Sequence, residues 1–226
     1  MRGAGARRTA VVISGEGAYR DPWHAYDVTS ARLAAILDEQ GITVSIRPDV
    51  DDALATLDAD LLVVNAGDAG SAAAALPTAG AAAGLLRHLA SGKPLLAVHS
   101  SASAFAGLDE WEDIVGARWV DKTMHPDFGP ADIVVHANRH VIVDGATDFT
   151  LNDERYSFLR LADDIVPLAT HSHDGIEHPL LWAREWRSAR VVYDALGHDE
   201  QSYDSPEHAA LIARSVQWLL GDLDLP

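Results

Sequence analysis

Cysteine is absent from the 226-residue chain. That excludes disulfides, thiolate metal ligands and a thiol nucleophile, and it fits a reducing, cytoplasmic setting. Positive charge is scarce: 17 Lys and Arg stand against 34 Asp and Glu, for a formal net charge of −17. Phosphates would be repelled, so neither nucleic acid nor an anionic membrane surface is an expected partner. No stretch approaches the ~20 uninterrupted apolar residues of a transmembrane helix. "TAVVIS" after the early arginines is too short for the apolar region of a signal peptide, and Met1–Arg8 reads as a frayed tail. "GEGAYR" (Gly15–Arg20) has neither the GxGxxG spacing nor a P-loop lysine, which removes nucleotide binding at that turn.

Hydrophobic residues make up 48% and charged residues 23%, an ordinary globular composition. With no internal repeat and no linker, residues 1–226 are expected to form one domain, with 1–8 as its tail. Short apolar runs alternate with helical patterns. Strands are expected at Thr9–Ser14, Ile42–Ile46, Asp60–Val64 and Leu95–Val98. Between them, Leu33, Ile36 and Leu37 recur at helical spacing within Thr29–Gln40, and Gly84–Ala90 reads as helix. The Ala- and Gly-dominated Ala69–Gly84 reads equally as a loop or a weak helix. This alternation points to an α/β fold with a doubly wound, mostly parallel sheet and helices on both faces.

After Gly107 the pattern loosens. "LDEWEDIVGARWV" reads as a short helix and a strand, and "MHPDFGP" as a loop. Ile133–Val135, Val141–Val143, Val166–Thr170, Leu180–Ala183 and Arg190–Tyr193 are strand candidates. Ser205–Leu220 reads as a final helix, with Ser205 able to cap it and Pro206 suited to its first position.

Open α/β sheets bind ligands beyond the carboxyl ends of their strands. Four such ends carry Gly, Ser, Asn or His instead of further core residues: "SGEGAYRDPWH" (Ser14–His24), "NAGD" (Asn65–Asp68), "HSSAS" (His99–Ser103) and "GHDE" (Gly197–Glu200). His99 and His198 are candidates for acid–base catalysis there, because imidazole titrates near neutral pH. Asp199 or Glu200 could orient His198, and Glu200 is taken as the third catalytic candidate. Ser14, Gly15, Asn65, Ser100, His125 and Tyr193 are the substrate-binding candidates, and Tyr19, Trp23 or Trp119 could pack against a bound ligand. A divalent metal is a candidate cofactor, with His99, His125 and His198 as its candidate ligands. "HSHDGIEH" (His171–His178) reads either as a second metal motif or as a solvated loop. "DERY" (Asp153–Tyr156) reads either as an acidic helix start or as part of a site. A serine hydrolase using Ser100 and His198 is the weakest reading, because "VHSSA" is not G-x-S-x-G.

Taken together and in order, "VVNAGD", "LLAVHSSASAFAGLDEWEDIVGARWV", "MHPDFGP", "DFTLNDERYSF", "HPLLWAREW" and "RVVYDALGHDEQSYDSPEH" resemble the ThuA-like family of trehalose-utilisation proteins. The resemblance implies a flavodoxin-like fold related to class I glutamine amidotransferases. Those enzymes carry a nucleophilic Cys after a strand and a His-x-Glu after a late strand. His99 stands where that Cys would be, and His198-Asp199-Glu200 resembles His-x-Glu. Without a thiol, thioester chemistry is excluded. The chain departs from the resemblance at "REWRSARVVY", where Ser188 and Ala189 replace a Gly-rich approach to the late strand. The resemblance further implies a small-molecule carbohydrate partner, trehalose or a related disaccharide, through 3-keto derivatives. A metal-dependent sugar hydrolase, lyase or isomerase, and a non-catalytic sugar-binding or regulatory protein, stand as alternatives. A second copy of the chain is an open alternative as a further partner.

Overall fold

The computed structural model describes residues 7–69 and 76–223. In chain order, the first half forms β1 (Thr9–Ser14), α1 (Tyr26–Glu39), β2 (Thr43–Arg47), α2 (Val50–Ala55), β3 (Leu61–Asn65), α3 (Ala79–Ala90) and β4 (Leu95–Val98). Then come α4 (Asp109–Val115), β5 (Ala117–Arg118), β6 (Gly129–Val135), β7 (Phe149–Asp153) and β8 (Arg160–Leu161). The chain continues through β9 (Val166–His173), β10 (Ile176–Trp186), β11 (Ala189–Asp194) and α5 (Pro206–Leu219). Nine strands make one sheet in the order β2-β1-β3-β4-β11-β10-β9-β6-β7, and β5 pairs with β8 separately.

The sheet has two halves of different character. β2, β1, β3, β4 and β11 are all parallel, in the 2-1-3-4-5 order of a flavodoxin-like fold. β3 and β4 are buried at every position, which is why they read as unbroken apolar runs. From β11 outward the pairing turns antiparallel. β6 and β7 alternate buried and exposed residues, so one face of this extension is open.

Two helices, α3 and α5, start at side-chain caps. Ser205 caps α5 by accepting from the His208 N–H, and Pro206 occupies its first turn. Thr78 caps α3 by accepting from Ala81. At Gly84 a Cβ would lie 1.9 Å from the Leu54 carbonyl oxygen, so only glycine lets α3 approach α2 this closely.

Several expectations need correction. α2 has no counterpart in the sequence reading, because six residues are too few to display a period. α3 begins at Ala79, earlier than the expected Gly84, and residues 70–75 of the Ala/Gly stretch lie outside the described residues. Val141–Val143 is a 3₁₀ turn and not a strand; His140 caps it, and Arg214 takes the carbonyls of Val141 and Ile142. Residues 1–6 of the expected tail lie outside the described residues, but Arg7 and Arg8 are anchored to Asp38 and Asp222. The departure at Ser188 is a tight turn with Arg187 at φ 56° between two long strands.

Candidate functional site

Three loops at the carboxyl end of the parallel strands, and one from the antiparallel extension, converge on a single point. β4 ends at Val98, and His99 follows with φ 46°, a sparsely populated conformation for a non-glycine residue. It is held there from both sides. The ring Nδ1 donates to the Ala195 carbonyl at 2.7 Å, and the Tyr193 hydroxyl donates to the His99 carbonyl. A carbonyl can only accept, so Nδ1 carries a proton, and Nε2 is the nitrogen turned toward the site.

His24 lies between β1 and α1. Its Nδ1 meets both oxygens of Asp21, at 2.7 and 2.8 Å. Burial raises the Asp21 carboxyl pKa, but hydrogen bonds from His24, Tyr26 and the Trp23 N–H outweigh it and bring the value down to about 2. Asp21 is therefore ionised, His24 Nδ1 is the donor, and His24 Nε2 is the free nitrogen. Burial lowers the proton affinity of His24, so its ring is neutral and able to ligate.

His198 follows β11, and Glu154 follows β7. Glu154 Oε2 lies 3.1 Å from His198 Nδ1 and 3.5 Å from His99 Nε2. Burial opposes ionisation of Glu154, but the two imidazoles hold its carboxyl well below the usual carboxylate range. In return, and against the effect of its own burial, Glu154 raises the proton affinity of His198. Neither short contact has hydrogen-bond alignment: His99 Nε2 and His198 Nδ1, like His24 Nε2, are buried with no hydrogen-bond partner among the described residues.

Three unpartnered imidazole nitrogens thus surround one carboxylate, and the four donor atoms lie within 4.8 Å of one another. The second nitrogens of His24 and His99 are already committed to a carboxylate and a carbonyl, the arrangement that fixes histidines as metal ligands. Zinc–nitrogen bonds of ~2.0–2.1 Å place tetrahedral ligand atoms about 3.3 Å apart, so the contacts of Glu154 with His198 and His99 are already near that spacing and the wider pairs would close by up to about 1.5 Å around an ion. The donor set, three imidazoles and a carboxylate, suits Zn²⁺ and first-row ions such as Mn²⁺, Fe²⁺, Co²⁺ or Ni²⁺. The centre is nearly closed: side-chain exposure is 1% for His99, 11% for His24 and Glu154, and 16% for His198.

The surroundings are aromatic. Tyr156 packs 4.3 Å from His99, Trp119 lies 4.8 Å from Tyr156, and Phe128 lies 5.5 Å from His198. Beside Trp119 a surface hollow of about 570 Å³ is lined by Arg118, Trp119, Val120, Asp121, Lys122 and Arg160. Trp23 is 71% exposed next to His24.

His99 and His198 are brought together as expected, with ring centroids 5.5 Å apart. His125 reaches the edge of the site, where its Nδ1 lies 3.5 Å from Glu154 Oε1, but it is outside the four-residue cluster. Glu200 is exposed on a 3₁₀ turn, and the carboxylate at His198 is Glu154. Asp199 spends its carboxylate on Gln201. The proposed sugar-binding hydroxyls and amide are also committed elsewhere. Ser14 donates to Tyr26 O, Asn65 donates to Thr29 and Ser30, and Ser100 bonds Tyr26 and Ala66, while the Tyr193 ring is buried against Trp182. Gly15 serves a close approach, since a Cβ there would lie 2.4 Å from Tyr19 O. These residues build the wall of the site. His171 and His178 of the other histidine motif pack together, 5.4 Å apart, in a separate place on β9 and β10.

His24 and Glu154 are the members of the cluster that sequence reasoning did not select. Both lie in stretches it singled out, "RDPWH" and "DERY". The usable signal for His24 was Asp21 three residues earlier, the spacing of an orienting carboxylate.

A parallel centre in 2-1-3-4-5 order, with its polar centre beyond the left-handed residue after β4, defines a protein with a class I glutamine amidotransferase-like fold. The chain belongs to the ThuA family, described as trehalose utilisation, which it matches over residues 9–219. Among solved structures it is similar to a ThuA-like protein from Parabacteroides merdae, at 18% identity and TM-score 0.79, covering 98% of this chain and 93% of that one. A ThuA-like protein from Bacteroides uniformis is similar at 12% identity and TM-score 0.74, covering 94% and 91%. A GMP synthase subunit from Thermoplasma acidophilum shares the fold at 17% identity and TM-score 0.54, covering 95% and 96%. No curated protein matches the sequence. Among the described residues, no helix is long and apolar enough to cross a membrane.

Proposed function

We propose that this protein is a carbohydrate-utilisation enzyme whose reaction centre is a divalent metal site formed by His24, His99, Glu154 and His198, with trehalose or a related 3-keto disaccharide as substrate. The observation that carries the metal is the set of three buried, unpartnered imidazole nitrogens around one carboxylate. The family supplies the substrate class. When bound, the ion would polarise a sugar carbonyl or activate water. Four protein ligands fill a tetrahedron, so a substrate oxygen requires a five- or six-coordinate ion. The chain itself orients His24 through Asp21, fixes the tautomer of His99 through Ala195, and excludes bulk water with Tyr156. Trp119 and Phe128 flank the centre with ring faces suited to pyranose C–H groups.

One observation favours a second, metal-free reading. Glu154 lies 3.1 Å from His198 and raises its proton affinity, which would make His198 a general acid and leave the base role to His99. The deciding experiment incubates metal-stripped protein with trehalose, 3-keto-trehalose and related glycosides, with and without Zn²⁺, Mn²⁺ or Co²⁺, and follows products. Turnover only with metal, at one ion per chain, is expected. Full turnover in chelator would replace the metal reading with the acid–base one. Sugar binding with the ligand recovered unchanged would leave a binding protein.

A further inference from the structure

Two adjacent carboxylates stand at the end of β7, and they do different work. Glu154 reaches the imidazoles, while Asp153 is fully buried and faces the opposite side of the chain. Asp153 Oδ2 accepts from the Gly197 N–H at 2.8 Å and from the Ser202 hydroxyl at 2.5 Å. Its Oδ1 accepts from the His198 N–H at 3.1 Å and from the Glu154 N–H at 2.8 Å. All three amide donors therefore belong to the two segments that carry His198 and Glu154.

We propose that Asp153 is the positioning residue of the site, clamping the backbones of His198 and Glu154 to one buried carboxylate, and that His208 is the buried cation that holds this clamp in place. The chain of contacts fixes the protons. Ser202 gives its hydroxyl proton to Asp153, so its oxygen is an acceptor for His208 Nδ1 at 3.0 Å, and the Ser202 carbonyl accepts from the same nitrogen at 3.0 Å. His208 Nε2 donates to Asp194 Oδ2 at 2.8 Å. With both ring nitrogens donating, His208 is an imidazolium. It faces Asp194 on β11, Asp153 on β7 through Ser202, and the ring of Tyr203 at 5.6 Å. Arg32 on α1 is paired with Asp204 nearby. The clamp thus ties the first turn of α5 and the ends of β7 and β11 to the two residues nearest each other in the site. An ionised carboxylate is suited to this, because it can accept at both oxygens. An asparagine of the same volume cannot, since its NH₂ group would confront an N–H donor.

The metal arm of the test rests on the proposed metal reading; the exchange arm does not. Amide hydrogen exchange of the metal-free protein is followed by NMR in wild type, Asp153→Asn and Ser202→Ala. Asp153→Asn is expected to speed exchange at Glu154, Gly197 and His198 at least about tenfold, with the amides of β3 and β4 unchanged. Ser202→Ala, which removes one of the four bonds, is expected to do the same more weakly, and it decides the matter if Asp153→Asn does not fold. In a Co²⁺ titration, Asp153→Asn is expected to lose roughly 10–100-fold in affinity, the range for residues that orient ligands, and to alter the visible spectrum of the bound ion. Unchanged exchange at the three amides would overturn the inference. So would uniform acceleration that includes β3 and β4, since Asp153 would then only stabilise the fold. A wild type that binds no Co²⁺ would sink the metal reading, and the exchange result would still decide the clamp.

Discussion

A single methyl group at Gly67 tests whether the wall and the site are mechanically one unit. A Cβ there would lie 2.3 Å from the Tyr26 hydroxyl oxygen, 3.0 Å from Asp21 Oδ2 and 3.4 Å from Ser100 Cβ. The Tyr26 hydroxyl must retreat by about 1 Å to restore van der Waals contact. It has no room to do so, since the side chain is buried, donates to Asp21 at 2.6 Å and bonds Ser100 at 3.0 Å. Overpacking of this kind costs about 1–3 kcal/mol, and weakening the hydrogen bond to the Asp21 carboxylate adds about 1–2 kcal/mol. Together that is roughly 2–5 kcal/mol, or a fall in Tm of about 4–20 °C for a chain of this size. Asp21 also orients His24, so metal affinity should fall by about 10–100-fold. Gly129→Ala is the control, because a methyl there meets nothing within 4 Å. Thermal unfolding by circular dichroism and a competitive Co²⁺ titration measure the two effects. A Gly67→Ala protein that melts within about a degree of wild type and binds Co²⁺ equally well would refute the reasoning.

Two further outcomes are expected. Glu154→Gln should lose roughly 100-fold or more in metal affinity, beyond the 10–100-fold typical of an orienting residue, whereas exposed Glu200→Ala should bind like wild type; equal losses by isothermal calorimetry would restore Glu200 to the site. Burial pushes His171 down to about 4 from an ordinary value of 6.5, so the folded state holds it neutral where the unfolded state takes up a proton. Its contribution is intact above pH 6.5 and is lost as pH falls through 6.5 toward 4, at a total of about 3 kcal/mol. Urea unfolding of wild type and His171→Gln at pH 7 and 4.5 should show a shallower pH dependence in the variant, and identical slopes would contradict it.

The amino-acid sequence by itself determined the parallel half of the sheet, because strands buried on both faces must be apolar throughout, and β3 and β4 are. It determined the start of α5 through Ser205 and Pro206, whose capping chemistry is local. It also placed His99 and His198 at strand ends, and their rings do meet. It could not choose among carboxylates. Glu200, two residues from His198, was the near neighbour in sequence, yet Glu154, forty-four residues away, is the neighbour in space. That depends on β7 entering the sheet beyond β9 and β6, a long-range pairing with no local signature. The same limit explains Ser14, Asn65 and Ser100. A polar residue at a strand end looks alike whether it faces a ligand or a neighbouring helix, and only the packing of α1 against these ends commits them to Tyr26, Thr29 and Ser30. Residue types and local periods are carried by neighbours in the chain. Which lone pairs are left free at the site is decided by hydrogen bonds between segments far apart in sequence, and those exist only once the chain has folded.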